Sequence, residues 1–230
     1  MKPFGEAKSR LRDVVPEPAR KALALAMFQR VLDATASCNH LKASVVLTYG
    51  DDVASYARGV GAHVVRDHWE PTRGSDAPPA LDLHASPALD LRASPALDLR
   101  APPARGLGQL IDAALPELAA LGADAALVLM ADLPYIDAND VAQLATGLAS
   151  SELVLAADTR GRSTNALALR LPARFKTAFG DPDSYALHLR RAREAGLMAL
   201  ELHNANLAHD VDVRDDLPLD SAWARRGARS

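Results

Sequence analysis

Short apolar runs alternate with helix-length amphipathic segments along most of this chain, and that alternation restricts the fold more than any other feature. ASVVLT (43–48), AHVV (62–65), a run ending at Asp132, ELVLAA (152–157) and TNALALR (164–170) read as strands, with LMALEL (197–202) and AHDVDV (208–213) as the last two. Between them, 16–37, 51–61, 107–122, 137–149 and 183–196 carry helical spacing. Pro16 and Glu17 suit a first helical turn, Gly196 a stop, and Pro116 should kink or split its helix. Strands apolar on both sides belong to a sheet covered on both faces. The expectation is an α/β fold with a mostly parallel sheet.

One region breaks the alternation. From Pro79 to Pro102 the unit occurs three times at a period of eight, as PALDLHAS, PALDLRAS and PALDLRAP. Eight residues are too few for a solenoid repeat, and a proline in every unit forbids a continuous helix. Residues 67–105 are therefore expected to form a low-complexity surface insert in a single domain spanning 1–230, because long surface loops cost little extra closure entropy. A partner-docking arm built on the Leu-Asp-Leu motifs is the alternative.

The bulk properties exclude some classes. A formal charge of −3 offers no basic field for duplex nucleic acid. The single cysteine, Cys38, cannot form an internal disulfide, suits a reducing compartment and reads as a small helix-end hydrophobe. No apolar run approaches the ~18 residues of a membrane helix, and the N-terminus lacks a signal-like apolar core. A cytoplasmic protein is expected.

The residues with chemical potential are scattered. LVLMADLPYID (127–137) is an apolar strand that ends in a carboxylate and turns at once on Pro134. A buried, unpaired carboxylate would be costly. Asp132 is therefore either a helix cap or turn residue, or a ligand for a hard cation beyond the carboxyl end of the strand. Asp210 and Asp212 of HDVDV, two apart on an extended segment, point to one side and repel unless a cation lies between them. An exposed acidic strand end would look the same. KPFGEAKSRL (2–11) could cradle a triphosphate or be a solvated basic tail, and it lacks P-loop spacing. DTRGRSTNALALR (158–170) and FGDPDSYALH (179–188) offer hydroxyls, backbone amides and a helix N-terminus to an anion. His188, His203 and His209 lack ligand spacing and read as polar surface or core histidines, and no G-x-S-x-G elbow occurs.

The order of these motifs carries more than any one of them. KPFGEAKSRL, RKALALAMFQRVL, ADLPYIDANDVAQL, TNALALR, FGDPDSYALHLRRAREAGL and AHDVDVRDDL together resemble the 2-phospho-L-lactate guanylyltransferase family over nearly all of the chain outside 67–105. The resemblance implies a Rossmann-like, three-layer nucleotidyltransferase fold, related to the molybdenum-cofactor guanylyltransferases, with a mostly parallel mixed sheet. It implies transfer of GMP from GTP to a small phosphorylated carboxylic acid, with release of pyrophosphate, in deazaflavin coenzyme biosynthesis. By that resemblance Asp132, Asp210 and Asp212 hold Mg2+. Lys8, Arg10 and Asp132 are catalytic, and Thr164, Gly180 and Ser184 hold the acid. Lys2, Lys8, Ser9, Arg10, Gly106 and Gly108 face the nucleotide.

Three departures from the family pattern accompany the match. The family's first strand normally precedes the lysine of KP, whereas this sequence starts at Met1, so either the chain begins upstream or another segment fills that place. The family's GLN reads Gly106-Leu107-Gly108, and FGDPDS carries one residue more than usual. The altered acceptor loop favours the longer 3-phospho-D-glycerate over 2-phospho-L-lactate or phosphoenolpyruvate. An exposed sheet edge would suit a homodimer, and the downstream transferase that consumes the product is a further partner the resemblance implies. The rival expectations are a non-catalytic binding descendant and a transferase of the same fold acting on a sugar phosphate or molybdopterin.

Overall fold

The computed structural model describes residues 1–67, 98–101 and 106–217. Its elements run α1 (Glu17–Ala36), β1 (Val45–Thr48), α2 (Asp51–Gly59), β2 (His63–Asp67), β3 (Asp98–Ala101), α3 (Leu107–Ala120) and β4 (Ala125–Leu129). They continue through α4 (Ala138–Gly147), β5 (Leu153–Ala157), β6 (Thr164–Arg170), α5 (Ser184–Glu194), β7 (Ala199–Glu201) and α6 (Ala205–Ala208). Strands β1-β2-β3 form one parallel sheet, and β4-β6-β5-β7 form a second in which β6 runs against both neighbours. The fold is the expected α/β class, with a mixed sheet flanked by helices.

Strand β6 shows why the layers are three. Its side chains alternate at a period of two. Ala166 and Ala168 face Val31 and Ala34 of α1 and Val141 and Leu144 of α4. Leu167 and Leu169 face Ile111 and Leu115 of α3 and Ala192 of α5. Small residues thus line one face of β6 and large ones the other. Capping fixes α4: the Asp137 carboxylate accepts from the Asn139 and Asp140 amides, and Asp140 accepts from the Asp137 amide.

Where a single sheet was expected, there are two. No described strand lies between β1 and β4. A cavity of about 1200 Å³ separates them, lined by Val45 and Leu47 on one side and by Ala125, Leu127 and Leu129 on the other. Met1 sits at its rim, where its ammonium donates to the Leu47 carbonyl and its carbonyl accepts from the Thr48 hydroxyl at 2.8 Å. Strand β4 is consequently a half-buried edge strand rather than a fully covered one.

Other expectations are also corrected. Residues 208–213 are not a strand: α6 ends at Ala208 and a 3-10 turn begins at Arg214. Asn204 caps α6 by accepting from the Asn206 and Leu207 amides, which commits the segment to a turn instead of a ladder. Pro116 interrupts nothing, since α3 is one helix across it. Arg100 and its neighbours in the third eight-residue unit belong to β3, paired in parallel with β2, while the first two units lie outside the described residues.

Candidate functional site

The N-terminal stretch is not a solvated tail. Phe4 is buried against Phe28 and Tyr56, its amide donates to Asp52 at 3.0 Å, and Ala7 and Leu11 are buried. This packing aims Lys8 inward. Lys8 has φ 56°, a left-handed conformation no other described non-glycine residue adopts. Such a backbone costs about 1 kcal/mol or more and needs support from the surrounding contacts. The support is the side chain, whose Nζ lies 2.6 Å from Asp132 Oδ2 and 3.6 Å from Asp212 Oδ1. Arg10 Nη1 reaches Asp212 Oδ2 at 2.7 Å from a largely exposed position.

Asp132 follows β4 at a turn that is pinned from inside. Leu133 and Ile136 are buried, and Arg30 Nε donates to the Ile136 carbonyl at 3.1 Å. The strand therefore does not bury its carboxylate; it carries Asp132 to the rim of the sheet.

Asp210 and Asp212 meet it there, with one carboxylate oxygen from each of the three lying within 4.8 Å of the others. Both aspartates are presented by a loop. The Asp216 carboxylate fixes it, accepting from the Asp212 and Val213 amides at 2.9 and 2.8 Å. Burial raises the Asp210 carboxyl above its usual range, as does the nearby charge of Asp132. Mg2+ prefers oxygen ligands at about 2.1 Å, so opposite ligands stand about 4.2 Å apart. Three carboxylate oxygens within 4.8 Å fit such an ion after small side-chain rotations, and repulsion among three carboxylates is what a dication would relieve.

The second cluster lies at the start of β6. The Thr164 amide donates to Ser184 Oγ at 3.0 Å, so these two expected acid-binding residues are in contact, both buried. Gly180 is exposed with φ 93°, in the turn that leads to α5. The N-terminus of α3 packs against that turn. A Cβ on Gly108 would stand 2.9 Å from the Phe179 carbonyl oxygen, and Asp112 accepts from the Thr177 amide at 2.8 Å. Gly108 is thus required for close approach, whereas Gly106, Lys2 and Ser9 are exposed.

Asn165 and His188 escaped the sequence reading as site residues. Asn165 points opposite to Thr164 and donates to the Leu207 and Ala208 carbonyls and to Asp210 Oδ1 at 3.1, 3.2 and 3.3 Å. It joins the two clusters through one strand. Strand alternation at Thr164-Asn165 and the four-residue step from Ser184 to His188 were the available signals.

The chain is thus a three-layer α/β protein in which three carboxylates converge beyond the end of a strand. Over 98% of this chain and 91% of its own, a nucleotide-diphospho-sugar transferase structure from Desulfovibrio desulfuricans G20 superposes with a TM-score of 0.59 at 18% identity, a likeness of fold alone. Residues 102–219 match the family described as "Guanylyl transferase CofC like", and the chain belongs to that family. It is 32% identical to the phosphoenolpyruvate guanylyltransferase of Chloroflexus aggregans over 92% of this chain and 89% of that protein. It is 27% identical to the 2-phospho-L-lactate guanylyltransferase of Methanothermobacter thermautotrophicus, over 93% and 78% respectively. The protein is a guanylyltransferase. Among the described residues no helix is long and apolar enough to cross a membrane.

Proposed function

We propose that this chain transfers GMP from GTP to the phosphate of a small phosphorylated carboxylic acid, releasing pyrophosphate. The observation carrying the proposal is the carboxylate trio of Asp132, Asp210 and Asp212, with Lys8 held between Asp132 and Asp212. A phosphate oxygen of the acid attacks the α-phosphorus of GTP; the new P–O bond forms as the bond to the β-phosphate bridging oxygen breaks. Both reacting phosphates are ionised at neutral pH, so no general base is required. The barrier lies in bringing polyanions together, since unit charges 4 Å apart repel by about 4 kcal/mol at an effective dielectric of 20. Mg2+ bound to the three aspartates would supply charge neutralisation there. Lys8 and Arg10 hold positive charge beside the nucleotide phosphates and the departing pyrophosphate.

The acid is assigned to the cluster of Thr164, Gly180 and Ser184. The relatives' names favour phosphoenolpyruvate or 2-phospho-L-lactate as the acceptor, and the product of either would serve deazaflavin coenzyme assembly. The expectation of 3-phospho-D-glycerate rests only on the altered loops around the acid site. The test supplies GTP, Mg2+ and each of the three acids and weighs the product. A guanosine diphospho-acid from one of them supports the proposal and names the acceptor. GTP left intact with all three, by a folded chain, overturns it.

A further inference from the structure

The best-buried histidine among the described residues stands behind the acid cluster and is used by nothing described so far. His188 is on α5, wholly buried, with the rings of Phe179 and Phe175 edge-on to it at 4.8 and 6.2 Å. Its two nitrogens have different partners. The Ala178 amide donates to Nε2 at 2.8 Å, so that nitrogen carries no proton. The proton is therefore on Nδ1, which donates to the Thr164 hydroxyl oxygen at 2.9 Å. One imidazole ties the first residue of β6 to the turn that leads to Gly180.

We propose that His188 is a positioning residue for the phospho-acid: it fixes the Thr164 hydroxyl and the Ala178–Gly180 turn relative to one another. The inference rests on the assignment of the acid to this cluster. With Nδ1–H directed at the Thr164 oxygen, the threonine's own proton is left to donate elsewhere, toward an anion. The same bond orders the residue beside Ser184, since the Thr164 amide is the donor to Ser184 Oγ. The turn is held in the same way. Asp181 donates its amide to the Ala178 carbonyl, and Ser184 donates its amide to Asp181. Anchoring Ala178 therefore anchors the path from Gly180 to the helix.

His188 keeps this tautomer because it stays neutral. Burial and the neighbouring Arg191 push it down to about 4. Arg191 itself is turned to the Lys176 and Thr177 carbonyls, at 3.0 and 2.5 Å, and so braces the same loop from its other side.

Three variants separate positioning from packing. His188→Phe keeps a ring and loses both polar contacts. His188→Asn can place an amide N–H near the Nδ1 position, and His188→Gln an amide oxygen near the Nε2 position. Steady-state transfer is measured with GTP and the acid varied separately, alongside the thermal midpoint. His188→Phe should raise the KM for the acid about tenfold, the scale of one net hydrogen bond, with the KM for GTP changed by less than about twofold. His188→Asn should recover part of that loss. A folded His188→Phe with an unchanged acid KM overturns the role, as does an equal rise in both KM values. If His188→Phe does not fold, acid KM values unchanged in both His188→Asn and His188→Gln overturn it. Wild-type protein inactive with every phospho-acid would instead remove the assignment on which the role rests.

Discussion

Lys8 Nζ lies 2.6 Å from Asp132 Oδ2, joining positions 124 residues apart. The contact brings the N-terminal segment to two of the three clustered carboxylates, so Lys8 and a dication would share Asp132 and Asp212. Arg10 stands beside it on Asp212.

Arg10→Ala separates stability from activity. The guanidinium is largely exposed, and exposed ion pairs contribute at most about 1 kcal/mol. The thermal midpoint should shift little. Pyrophosphate release should fall about tenfold or more, as when an electrostatic stabiliser is removed. Equal turnover in the two proteins would place Arg10 outside the reaction.

Asp210 gives a metal test that needs no substrate. Its carboxyl is raised by burial and then by Asp132, so the charged form opposes folding at neutral pH when no cation is present. For a raised carboxyl the favourable contribution is complete only below its ordinary value of 3.8 and is lost as pH rises from there through the folded value. Asp210→Asn should therefore match or exceed the wild-type thermal midpoint in metal-free buffer at pH 7. Mg2+ at ten times its Kd should raise the wild-type midpoint by roughly 3–6 °C and leave the variant unmoved. An identical response in both would exclude Asp210 as a ligand.

Asn165→Leu should damage both properties. It withdraws the donor from two backbone carbonyls and from Asp210, and each buried unsatisfied acceptor costs about 1–3 kcal/mol. Lower stability together with a weakened Mg2+ response is the expected outcome, read by denaturant titration with and without the ion. Lost stability with a full Mg2+ response would limit Asn165 to structure.

The strand-helix alternation was legible because each element buries a face with its own period. The order of motifs resembles a family in which Asp132, Asp210 and Asp212 would hold a metal, and the three carboxylates converge in the fold. What the chain did not display locally was tertiary. Asp210 and Asp212 converge through a loop tied by Asp216, four residues beyond Asp212, where an extended strand had been expected. Nor does LVLM advertise that β4 is an edge strand, since its apolar side chains line the cavity facing β1. His188 looked like any core histidine; only the partners on its two nitrogens distinguish it.

The pH dependence of stability isolates His188. A histidine whose folded value is lowered disfavours the folded state once it must charge, so its contribution is complete above its ordinary value of 6.5 and falls away as pH drops toward about 4. Wild type should lose up to about 3 kcal/mol relative to His188→Phe across that interval, from the size of the shift. Parallel curves for the two proteins would contradict the buried neutral state.

The most direct measurement is pyrophosphate release from GTP and phosphoenolpyruvate by wild type and Asp132→Asn, each over a Mg2+ titration. Turnover of the variant should fall by roughly a hundredfold or more at saturating acid, with a higher Mg2+ requirement and an unchanged fold. Near-normal turnover at the wild-type Mg2+ concentration would contradict a reaction centre built on these aspartates.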